Sequence, residues 1–183
     1  INIGSETSTG GGLGFGAGAW GGTKAGATTT TLASGINNSV TTIPLTSATG
    51  FDTFSSTIAA NVLLTDGTIT LASTTSLPTI GIIKINSEQI RYETVDTETN
   101  VLGSLTRSFN GTTVAAHTSG ATATYVGTVV IDNEIITYTG VSTNDLTSAV
   151  RGQIGTSPEA HDSGAIVTES NNFDGWGSAV SGV

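Results

Sequence analysis

Four residue types able to do chemistry occur twice in the same order: Glu88, Tyr92, Arg107 and His117, then Glu134, Tyr138, Arg151 and His161. Glu88 and Glu134 lie 46 positions apart, as do Tyr92 and Tyr138; Arg107 and Arg151 lie 44 apart, as do His117 and His161. The small difference falls in the polar stretch from Thr94 to Asn100, where a loop absorbs it. A carboxylate, a phenol, a guanidinium and an imidazole can share acid–base work or hold a ligand. The same four can instead form a buried network in which the guanidinium neutralises the carboxylate. A catalytic set is seldom duplicated whole in adjacent small modules, whereas a packing device is. The pattern therefore predicts a structural network, with no catalytic residue, no cofactor and no metal. His117 and His161 stand beside Ser-Gly-Ala turns and are expected to cap a turn or satisfy a carbonyl.

The elements that must position these groups are short strands. Ile83 and Ile85 alternate onto one face, and Val129 and Ile131 do the same. Asn86-Ser87 and Asp132-Asn133 follow, and Asn and Asp tolerate the positive φ of a tight hairpin turn. The return strands put Glu88, Ile90 and Tyr92 on one face, and Glu134, Ile136 and Tyr138 likewise. That face carries an aliphatic and an aromatic residue, so it is the inner one. A carboxylate there needs a partner, because an unpaired buried charge is costly. Arg107 and Arg151 are the expected partners, each within its own repeat.

Composition narrows the classes. The 183 residues carry a net charge of −9 with only five Lys and Arg, which argues against nucleic acid as a partner. Abundant Gly, Thr and Ser, 5% aromatic residues and no sustained i, i+3, i+4 apolar pattern predict short strands and turns rather than helices. With no Cys there is no disulfide and no thiolate site. No apolar run approaches the ~20 residues of a membrane-crossing helix, so no membrane insertion is expected. Asp96, Glu98 and Asn100 have a faint calcium-loop spacing, but Val101 stands where such a loop needs Gly. No nucleophile elbow accompanies a Ser, His and Asp set.

In chain order, residues 1–27 read as a Gly-rich arm in which Phe15 and Trp20 are apolar anchors. Residues 28–66 read as a degenerate β unit without the four marks. Repeat units follow at 67–125 and 126–169, with a boundary near Tyr125-Val126. Residues 170–183 form a second arm, anchored by Phe173 and Trp176. The fold expected is all-β: tandem small sandwich- or barrel-like modules of short antiparallel strands, with extended terminal arms. Pro44 inside an apolar stretch predicts an edge strand. Asp66-Gly67 predicts a hairpin.

Ile131 to Gly140, Arg151-Gly152 and Ala160 to Ala165 resemble a module of tailed-bacteriophage virion structural proteins. Thr41 to Phe51 is similar to the lead-in of that module. Departures are Asp52 where Pro is usual, Ser108 where Gly is usual, and Pro158-Glu159 before His161. The resemblance spans about Leu32 to Thr168 and implies a structural subunit of a virion, in its tail, fibre, baseplate or decoration. It implies a homo-oligomer that also contacts other virion proteins and, at a fibre tip, a host surface glycan. The alternatives are a subunit of an extracellular filament and a glycan-binding adhesin module.

Overall fold

The computed structural model describes residues 28–170. Phe15, Trp20, Phe173 and Trp176, and with them nearly all of both expected arms, lie outside the described residues. Within them the protein is all-β: fourteen short strands, a three-residue 3-10 turn at Phe109–Gly111 and no α-helix.

The strands make four small antiparallel sheets, two to a module. The inner module is continuous. Its larger sheet has the order β3 (Ser55–Thr57), β9 (Thr122–Tyr125), β5 (Gly81–Ile85), β6 (Glu88–Tyr92). Its smaller sheet has the order β4 (Ile69–Thr70), β8 (Val101–Gly103), β7 (Thr94–Asp96). The outer module repeats this plan with β1 (Thr29–Thr31), β14 (Ile166–Glu169), β10 (Gly127–Ile131) and β11 (Glu134–Tyr138). Its smaller sheet is β12 (Gly140–Ser142), β13 (Asp145–Thr147) and β2 (Ile43–Pro44). Pro44 is in the edge strand of that sheet, where a missing N–H is harmless.

Each module's two sheets are stitched into a closed shape. Leu32 bridges Leu45 in the outer module and Ile58 bridges Leu71 in the inner one. On the other side a strand bends from one sheet into the next, as β6 into β7 and β11 into β12. Alternating inward residues fill the interiors. Leu32, Ile43, Val129, Ile131, Ile136 and Val167 pack in the outer core, and Ile58, Ile69, Ile83, Ile85, Ile90 and Leu102 in the inner one. Each such side chain contributes about 1.5–3 kcal/mol on leaving water.

The expected degenerate unit over 28–66 is not a unit. Its first part pairs with β14 and β13 and completes the outer module, while Ser55–Thr57 pairs with β9. The matching segments are 28–50 and 51–77, since Leu32·Leu45 and Ile58·Leu71 are the same bridge 26 positions on. Each supplies one outer strand to each of its module's sheets. The inner module is thus nested inside the outer one, and the chain passes back at Val126, close to the expected boundary. The physical reason is that each repeated hairpin buries one face and needs further strands to close over it. Those strands precede both hairpins, so the first segment reaches its module across the whole second one. Asp66-Gly67 does not close the expected tight hairpin: β3 and β4 lie in different sheets, joined by the Ile58↔Leu71 bridge with Ala59 donating to Thr70 O and Ala72 to Thr57 O, while Val62 leaves to bond His117.

Candidate functional site

The repeated charged residues come together at one end of each module, beside the hairpin turn. Asn86 and Asp132 open those turns with φ of 54° and 51°, and the strand register Ile85↔Glu88 and Ile131↔Glu134 then carries each glutamate inward. Both glutamate side chains are 0% exposed.

Each carboxylate is saturated. Arg107 donates to Glu88 through Nε (2.8 Å) and Nη2 (2.9 Å), a two-pronged pairing. The backbone amides of Ser108 (3.1 Å) and Ala115 (3.0 Å) and the Nε2 of His117 (2.8 Å) complete the set. Glu134 repeats it with Arg151 Nε (2.8 Å) and Nη2 (2.6 Å), the amides of Gly152 (2.8 Å) and Glu159 (3.1 Å), and His161 Nε2 (2.8 Å). Burial alone would push the Glu88 carboxyl up. Arg107, the Ala115 and Ser108 amides and His117 outweigh that and hold it down to about 2. Burial likewise opposes ionisation of Glu134, and Arg151, His161 and the Glu159 and Gly152 amides bring it to about 2. A carboxylate held so firmly as the anion, with five donors on two oxygens, is unsuited to proton transfer near neutral pH.

The arginines also reach the sequence-remote segments. Arg107 Nη1 donates to Leu63 O (2.9 Å) and Nη2 to Ala115 O (2.7 Å). Arg151 Nη1 donates to Asn37 O and Nη2 to Glu159 O, both at 2.6 Å. Beside them Ile36 and His161 exchange backbone bonds of 2.9 and 3.0 Å, and Val62 and His117 of 2.8 and 2.9 Å. Each cluster is therefore a clasp joining four stretches: the hairpin, the arginine turn, the histidine segment and the early segment.

Two expectations need correcting. The histidine rings neither cap a turn nor bind a carbonyl; both donate to a glutamate, because the hairpin brings that carboxylate within reach. Tyr92 and Tyr138 do not join the clasp. They are buried at the opposite end of each module, where Tyr92 donates to Pro78 O (2.9 Å) and Tyr138 to Asp52 O (3.2 Å). Five-residue strands place residues 88 and 92 a full strand length apart. Burial pushes both phenols up, reinforced around Tyr92 by Tyr125 and Asp52 and around Tyr138 by Glu169, Tyr125 and Asp52. Asp96 uses its carboxylate inside its own turn, accepting from the Glu98 and Thr99 amides. Among the described residues no group of three or more His, Asp and Glu is placed to hold a metal. The structure adds Asn86 and Asp132 to the clasps. Asn86 Nδ2 is 3.3 Å from His117 Nδ1, and Asp132 Oδ2 is 2.7 Å from His161 Nδ1. Their turn chemistry was legible in the sequence; their second use was not, since it depends on the histidine folding back beside them.

No protein-family model matches the chain, and no curated protein or solved structure matches it.

Proposed function

We infer that the protein is a structural subunit of a bacteriophage virion, in its tail, fibre, baseplate or decoration, and catalyses no reaction. The observation that carries this reading is the duplicated clasp. Each set of chemically able residues is consumed in fastening one small β module, so what remains to act is surface and terminal arms. Small modules bury limited area, and such chains gain stability by packing against copies of themselves. The resemblance of the repeat to virion proteins points the same way. The arms, with Phe15, Trp20, Phe173 and Trp176 as anchors, hold neighbouring subunits and other virion proteins together. Deleting residues 1–22 or 171–183 is expected to leave the modules folded by circular dichroism and to abolish assembly in sedimentation. Normal assembly by either truncation would reject the role of the arms.

A second reading, a glycan-binding module of a fibre or adhesin, draws on the open cleft of about 370 Å³ where the two modules meet. Phe54, Ser55, Ser76 and Thr139 line it with one aromatic ring and several hydroxyls. Glycan binding lost on Phe54→Ala would favour this reading.

A further inference from the structure

The two clasps use the same glutamate, arginine and histidine side chains and differ in the side chain that meets the second ring nitrogen, Asn86 in the inner module and Asp132 in the outer. That difference changes what the histidine ring can be. His161 Nε2 lies 2.8 Å from Glu134 Oε2 and Nδ1 lies 2.7 Å from Asp132 Oδ2. Ionised carboxylates only accept hydrogen bonds, so each ring nitrogen must bring its own proton. His117 Nε2 also donates to a carboxylate at 2.8 Å, but its Nδ1 faces the amide Nδ2 of Asn86 at 3.3 Å. An amide nitrogen only donates, so that ring nitrogen must accept.

Charge balance agrees. Around His161 stand Asp132 from the hairpin turn, Glu134 from β11 and Arg151 from beyond β13; two carboxylates against one guanidinium leave one negative charge. Around His117 stand Glu88 from β6 and Arg107 from beyond β8, already neutral. The early segments meet the histidines through the backbone bonds of Ile36 and Val62. His161, Glu134 and Arg151 are almost wholly buried while Asp132 is 58% exposed; a charged His161 balances the outer set, as an uncharged His117 does the inner one.

We propose that His161 is an imidazolium bonded through both ring N–H groups, whereas His117 is a neutral imidazole protonated on Nε2 alone. Removing the Nδ1 proton from His161 leaves two acceptors facing each other at 2.7 Å. The inner clasp has no such proton to lose.

The test is a nitrogen–proton correlation spectrum of the two imidazoles in the full chain at pH 7. His161 is expected to show two protonated ring nitrogens and His117 one, on Nε2. Asp132→Asn should give His161 the pattern of His117, and Asn86→Asp should do the reverse. A single protonated nitrogen on His161, or the same pattern on both rings, would overturn the proposal. The wild-type spectrum decides even where a variant does not fold.

Discussion

Replacing Arg151 with Ala tests whether the clasp is structural. The side chain is 6% exposed and donates four hydrogen bonds, two to Glu134 and one each to Asn37 O and Glu159 O. Its loss leaves a fully buried carboxylate with the Gly152 and Glu159 amides and His161 but no guanidinium. Breaking a buried pair from one side costs about 3–5 kcal/mol. For a chain of this size 1 kcal/mol moves Tm by roughly 2–4 °C, so the expected drop is roughly 6–20 °C. The effect should also be directional. Because Arg151 holds Asn37 O, amide exchange should rise first at Leu32 and Ile36, which bond Ala165 O and His161 O. The control is Glu93→Gln, which breaks a pair with Arg91 whose side chains are 49% and 21% exposed; such pairs are worth about 0–1 kcal/mol. Scanning calorimetry and hydrogen exchange read both variants. A Tm change of a degree or two for Arg151→Ala, or exchange spread evenly over both modules, would refute the clasp.

Acid should unfold the protein by the same mechanism. Glu88 and Glu134 are depressed from 4.5 to about 2, so their stabilisation is fully present above about 4.5 and is lost as pH falls toward about 2. At about 1.4 kcal/mol per pH unit that is ~3 kcal/mol per carboxyl, and urea melts between pH 6 and 2 should lose about 6 kcal/mol in all; a flat profile would contradict it. Nesting predicts unequal fragments: residues 51–125 should fold alone, whereas 126–170 should not, lacking Leu32, Ile36, Ile43 and Leu45 of its core. Circular dichroism of the two fragments checks this, and a folded 126–170 would contradict it.

Much of this architecture was readable from periodicity. The hairpins from Gly81 to Tyr92 and from Gly127 to Tyr138, their turn residues and the inward glutamates all follow from alternation, because a hairpin is a local object. The pairing of each glutamate with its own arginine was legible for a different reason: a repeated buried acid demands a repeated base. The origin of the closing strands was not legible. Segment 28–50 carries none of the four marks and is as short and β-prone as segment 51–77, so nothing local says which hairpin each one covers. Pairings such as Thr30↔Val167 span most of the described chain and are fixed by tertiary packing alone. The tyrosines misled for a related reason. Sharing a face with glutamate says which layer a side chain enters, not which end of that layer it occupies.

At the tyrosine end the modules differ by a matched pair of residues. Pro78 of the inner module corresponds to Asp52 of the outer, and Tyr125 to Glu169. The carbonyl of each first residue accepts the equivalent tyrosine hydroxyl, from Tyr92 and Tyr138 respectively. Pro78 has no N–H, so nothing near it must accept one, and the buried neighbouring position is free to be the aromatic Tyr125. Asp52 does have an N–H, in a half-buried place where an unmet donor is costly. Glu169 Oε1 accepts it at 3.0 Å and lies 3.4 Å from the Tyr138 hydroxyl. Proline with tyrosine and aspartate with glutamate are thus two solutions to one problem, how to end a module beneath its tyrosine. The second solution occurs where the chain turns from the outer module into the inner one. A swap at either position alone is therefore worse than a swap of both: Glu169→Tyr strands the Asp52 amide, while Asp52→Pro leaves a buried carboxylate without that donor.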